Sequence, residues 1–214
     1  MRKFVNRLSI VAGLAAMILS QSVLADGHEK GDLLKGIPSA KYNVDLTHAS
    51  IVWKVSHLGF STYVGRFNDF NAELNLDSAD FSNSTVSVEI KVDSIDTAYP
   101  YPEKEDFDEK LSKKWFKSGD EPTIVFKSTK VSDLNGHSFT FEGEMTLAGQ
   151  THPVVFDAKL NGATASHPFK KDKALVGFSA KTVIDRTQWG VSTYAPRIGA
   201  EVTVEVEGEF LQAD

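Results

Sequence analysis

The sequence predicts an all-β domain, and three observations carry that expectation. Eight segments alternate apolar and polar residues with the two-residue period of a half-buried strand. Turn residues punctuate the gaps between them. Only one stretch, residues 103–122, is spaced like a helix.

Taken in order, the chain opens with the basic stretch "MRKFVNR", an apolar run too short to span a bilayer comfortably, and small residues at Val23 and Ala25. That is the pattern of a signal peptide cleaved after Ala25, which directs the protein to the periplasm. Residues 26–40 are rich in Gly and charge and show no period, so they are read as a flexible linker. The domain then occupies residues 41–214. Its clearest strand segments are 50–57, 65–77, 84–95, 123–132, 138–149, 152–162, 174–186 and 200–210. Asn135-Gly136 is a favoured two-residue hairpin turn, and "AGQT" and "LNGA" close the next two strands, so sequential strands are expected to pair antiparallel. In residues 103–122, Phe107, Leu111, Trp115 and Phe116 share one helical face, and Gly119 with Pro122 ends the run.

Strand parity sorts the side chains into a wet face and a dry face. The dry face includes Trp53, Val55, Phe70, Leu74, Val88, Ile90, Phe126, Phe139, Phe141, Met145, Phe156, Phe178 and Ile184. One short helix cannot cover eight strands, so the sheet either packs on a second sheet or closes on itself. Periodicity leaves both open. Gly65, Gly143, Gly177 and Gly208, within or beside strands, favour the barrel, because glycine often marks the bends a closed sheet needs.

Composition and motifs exclude several classes. Removing Arg2, Lys3 and Arg7 from 23 basic residues set against 29 acidic ones takes the formal charge from -6 to -9. Such a chain offers nothing to nucleic acid or an anionic surface. After the leader, no stretch is apolar enough for stable membrane insertion as a helix. There is no cysteine, so the core holds without disulfides. The six histidines are scattered outside any metal-ligand spacing, and no nucleophile elbow, P-loop or dinucleotide fingerprint occurs. No catalytic group, metal or cofactor is expected. Asp185, Arg186 and His57 form the one cluster an enzymatic reading would use.

The motif series resembles the YceI-like family. Asp45, His48, His57, Gly59, Gly65, Phe67 and Phe70 match its opening pattern, "WFKSGDEPTIVFKST" is similar to its stretch leading to Phe-x-Ser, and "FEGEMTLAGQTHPVV" is similar to its Gly-x-Leu hairpin, with Met145 for the first Leu. Residues 177–191, "GFSAKTVIDRTQWGV", correspond to its Arg-x-x-aromatic-Gly near the last strands. The resemblance covers residues 42–210 and implies an extended lipocalin-like eight-stranded antiparallel barrel with one short amphipathic helix. It further implies a periplasmic protein without a known reaction, often dimeric, that holds a polyisoprenoid, a long-chain isoprenoid lipid or a quinone-like amphiphile in its bore; the alternatives are an enzyme acting on such a lipid and a solid barrel that serves as an interaction module without ligand. Glu105 and Glu109 stand where many members carry Arg and His, so no head-group role passes to those positions.

Arg186 is the anomaly of the dry face. By parity it points inward, where it either meets a polar head group or locks the barrel end by stacking on Trp189 and pairing with a carboxylate; the lock is favoured, because a buried arginine needs a protein partner without ligand too. His57, Tyr99, Tyr101, Tyr194 and Arg197 are the other candidates for the mouth.

Overall fold

The computed structural model describes residues 33–214, so the leader and residues 26–32 of the linker lie outside the described residues. Ten strands form one sheet closed by pairing of its first and last members. β1 (Ala40–His57) has β10 (Ile198–Gln212) on one side. Its other side meets β2 (Ser61–Phe67) along residues 51–57 and β3 (Phe70–Leu76) along residues 40–43. The ring continues from β3 through β4 (Thr85–Lys91), β6 (Thr123–Asn135), β7 (Ser138–Leu147), β8 (Gln150–Thr164) and β9 (Leu175–Asp185) to β10, every pairing antiparallel. The two-residue β5 (Ile95–Asp96) continues the β4 position alongside β2. Two ring positions are thus each shared by two consecutive strands, and the barrel is eight-stranded.

Local chemistry explains where the ring departs from simple alternation. The predicted single strand 65–77 breaks at Asn68-Asp69, where Asn68 N–H donates to the Ser94 carbonyl at 3.0 Å and the Asp69 carbonyl accepts from Lys91 N–H at 2.9 Å. The turn at Asn135-Gly136 falls one residue later than predicted, because Asn135 pairs with Ser138 and leaves Gly136 and His137 as the loop. In β1, residues 45–48 bulge out between the Val44 and Ala49 pairings. Asp45 fixes that bulge by accepting from the Thr47 N–H and hydroxyl at 3.0 and 2.6 Å, and these bonds hold its carboxyl below the usual range.

Two of the four glycines act by close approach instead of bending. A Cβ at Gly65 would overlap the Trp53 ring, and one at Gly143 would overlap the Lys127 carbonyl as well as the Phe126 ring. Both rings lie across a neighbouring strand for lack of that carbon. Gly177 and Gly208 pair beside register shifts and follow the expectation of bends.

The predicted helix is shorter than residues 103–122. α1 (Phe107–Lys110) is capped by Asp106, which accepts from Glu109 N–H at 2.9 Å, and runs into a π-turn (Leu111–Trp115) that buries Leu111. It lies over one end of the barrel. The opposite end is filled by Tyr42, Leu76, Leu160, Ala174 and Val176, with Ile37 only 6% exposed beside them. Residues 33–40 therefore correct the linker expectation: Leu33, Leu34 and Ile37 are apolar and cover the barrel floor, so this part of the segment packs. No helix among the described residues is long and apolar enough to cross a membrane.

Candidate ligand-binding bore

Inside the ring the inward side chains do not mesh completely. Among the described residues they leave an outer cavity of about 380 Å³ under α1 and an inner one of about 150 Å³ deeper in the barrel. They adjoin at Ile51, Ile90, Ile124, Met145 and Val204, which line both. The walls are almost wholly hydrocarbon and aromatic.

The inner chamber takes Phe70, Leu74, Val88, Phe126, Phe139, Phe141, Phe156 and Phe178 from the predicted dry face. The rings brace one another: Phe141 stacks on Phe156 at 5.0 Å, and Phe126 meets Phe156 edge-on at 5.2 Å. Trp53, Val55 and Ile184 line the outer chamber, while Ile90 and Met145 sit between the two. All the apolar candidates thus face one continuous set of walls, as period-2 alternation in a closed sheet requires.

At the mouth, His57, Tyr99, Tyr194 and Arg186 line the outer chamber, and Trp189 and Arg197 do not. Trp189 is 1% exposed; its indole N–H donates to the Met145 carbonyl at 3.0 Å and its ring meets His152 edge-on at 5.0 Å. Arg197 is exposed, and only its carbonyl engages the rim, accepting from Leu58 N–H at 2.9 Å. Tyr101 lies further out, 6.0 Å from Tyr99 and beneath the Lys104 ammonium at 4.1 Å.

Arg186 is 7% exposed and is a lock of a different kind from the one expected. It donates to the carbonyls of Gly199 (2.9 Å), Ile198 (2.9 Å), Thr193 (3.1 Å) and Val191. Backbone oxygens replace the expected carboxylate and indole face, because its 3-10 turn (Arg186–Trp189) places the guanidinium inside the loop that returns to β10. Burial lowers its affinity for the proton, partly offset by the charge of Asp185. Asp185 is itself occupied, accepting from Thr187 N–H and hydroxyl at 2.9 and 2.6 Å, which keeps its carboxyl below the ordinary range. Two members of the one plausible catalytic cluster thus have structural duties.

Sequence reading missed several lining residues. Tyr63, Phe107, Trp115, Phe116 and Lys110 roof the outer chamber, and Phe81 enters the inner one from the β3–β4 connection. Ring contacts join them: Tyr63 to Phe107 at 6.1 Å, Phe107 to Trp115 at 6.2 Å, Trp115 to Tyr194 at 5.7 Å. The apolar helix face was legible, but not which side of the barrel it would cover. Lys110 pairs with Glu105 at 2.6 Å, and that hydrogen bond raises its proton affinity.

A closed antiparallel barrel with an apolar, capped interior defines a class of barrel proteins that can hold one small amphiphile. Within that class, residues 42–210 match the YceI-like domain, and the chain belongs to the YceI-like family. A UPF0312 protein of Vibrio cholerae is 32% identical over 172 residues, covering 79% of this chain and 87% of the relative. Among solved structures, Burkholderia cenocepacia BcnA is similar with a TM-score of 0.67 at 19% identity, covering 78% of this chain and 98% of BcnA. A polyisoprenoid binding domain from Saccharophagus degradans has a TM-score of 0.58 at 12% identity, covering 80% of this chain and 98% of that domain.

Proposed function

We propose that this protein is a periplasmic binding or carrier protein that shelters the tail of a polyisoprenoid, or a similar long-chain amphiphile, in the barrel while the head group stays at the mouth. The observation that carries the reading is the pair of adjoining apolar chambers lined by the predicted dry face. A tail exposed to water costs about 25 cal/mol per Å² of apolar surface, so hydrocarbon walls supply strong affinity with few polar contacts. Family membership supports the same reading, as does a structural neighbour described as polyisoprenoid-binding. Binding without chemical conversion fits the duties found for Asp185 and Arg186. Export follows from the leader sequence, and N-terminal sequencing of the mature protein is expected to begin at Asp26.

The test is mass spectrometry of organic extracts from natively purified protein, followed by delipidation and reloading. One long-chain amphiphile per binding unit is expected. Failure both to find and to load any such molecule would overturn the proposal.

A further inference from the structure

We propose that the bore measures tail length: its two chambers, joined at a waist and closed by a floor, hold about twenty carbons of an isoprenoid tail. The inference rests on the binding function above and specifies the ligand class of the same site.

Three observations carry it. Ile51, Ile90, Ile124, Met145 and Val204 line both cavities, so a guest entering the outer chamber meets a constriction of branched side chains and one methionine before the inner one. Methionine is the adaptable member of that ring, with three rotatable bonds and no branch. The second observation is the floor. Tyr42, Leu76, Leu160, Ala174 and Val176 are buried beyond the inner chamber and do not line it, and Tyr42 is fixed by donating to the Pro38 carbonyl at 2.8 Å. A tail cannot pass through that end.

The third is size. An apolar cavity of about 150 Å³ accommodates one benzene, which is the volume of the inner chamber. The outer chamber, at about 380 Å³, takes two to three such units on the same scale. Together they hold roughly twenty carbons. Carbons beyond that length remain outside the walls and add no burial.

Affinity should therefore rise with tail length until the inner chamber is full and then level off. Binding of prenyl alcohols of ten, fifteen, twenty and forty-five carbons to delipidated protein, followed by calorimetry, reads this directly. The twenty-carbon alcohol is expected to bind at least tenfold tighter than the ten-carbon one, and the forty-five-carbon alcohol within about threefold of the twenty-carbon one. Ala158 and Ala180 line only the inner chamber. Ala158→Phe, or the milder Ala180→Leu, fills it and should remove the advantage of twenty carbons while ten-carbon binding stays within about twofold. Circular dichroism checks that each variant folds. Equal binding of ten and twenty carbons, a continued steep rise to forty-five, or an equal loss for both short lengths in the variants would overturn the length measure and leave lipid binding standing. Binding of no prenol at all would remove the binding function and the length measure together.

Discussion

Arg186 carries a charge into a place that is 7% exposed and satisfies it with four backbone carbonyls from residues 191–199. Two of those carbonyls, Val191 and Thr193, belong to the connection into β10 and two, Ile198 and Gly199, to its first residues, so a single side chain ties the end of β9 to the start of the strand that closes the barrel. Replacing it leaves several acceptors without a donor, each costing about 1–3 kcal/mol when shielded from water. Arg186→Met should lower stability by about 3 kcal/mol or more in urea titration of the ligand-free protein. Arg186→Lys should recover only part, because a point donor cannot span four acceptors. Unchanged stability in both would mean that the guanidinium serves the ligand and not the fold. Parity alone placed this residue inward. It could not supply the partners, because backbone carbonyls carry no mark in a sequence and those that gather here come from residues 5 to 13 positions further on.

At the scale of elements, two strands depend on a missing carbon. Trp53 of β1 lies over Gly65 of β2, and Phe126 of β6 lies over Gly143 of β7. Gly65→Ala and Gly143→Ala should each cost about 1–3 kcal/mol, since the Trp53 ring must leave its place in the chamber wall at the first and both the Phe126 ring and the Lys127 carbonyl must give way at the second. Gly162→Ala is the contrast, because a Cβ there meets nothing within 4 Å. It should be neutral or slightly stabilising, by up to about 1 kcal/mol through the unfolded chain. Urea denaturation of the three variants checks the order, and equal effects at all three sites would contradict the close-approach account. Strands, hairpins and the apolar wall were legible because alternation is a local signal that survives closure of the sheet. The break at Asn68-Asp69, the shortened helix and the position of α1 over the mouth were not. Each is set by contacts between segments distant in sequence, such as Asn68 N–H with the Ser94 carbonyl at 3.0 Å.

For the whole molecule, the barrel is asymmetric along its axis. One end is closed by aliphatic packing and by residues 33–37, which the sequence offered as linker because Gly and Lys surround the leucines. The other is roofed by an aromatic chain running from Tyr63 through Phe107 and Trp115 to Tyr194. With the Tyr42 end packed, the proposed entrance is the roofed end, and the basic side chains lining that chamber are His57, Lys110 and Arg186, the last already saturated by carbonyls. Recognition then comes mostly from burial of the tail, with the mouth orienting the head group. Diffraction from protein loaded with a twenty-carbon prenyl alcohol iodinated at its tail end tests this most directly, because iodine scatters anomalously wherever the tail stops. A single iodine peak in the inner chamber, near Phe141 and Phe156, is the result this account predicts. A peak on the outer surface of the barrel, or clear protein density with both chambers empty at full loading, would contradict it.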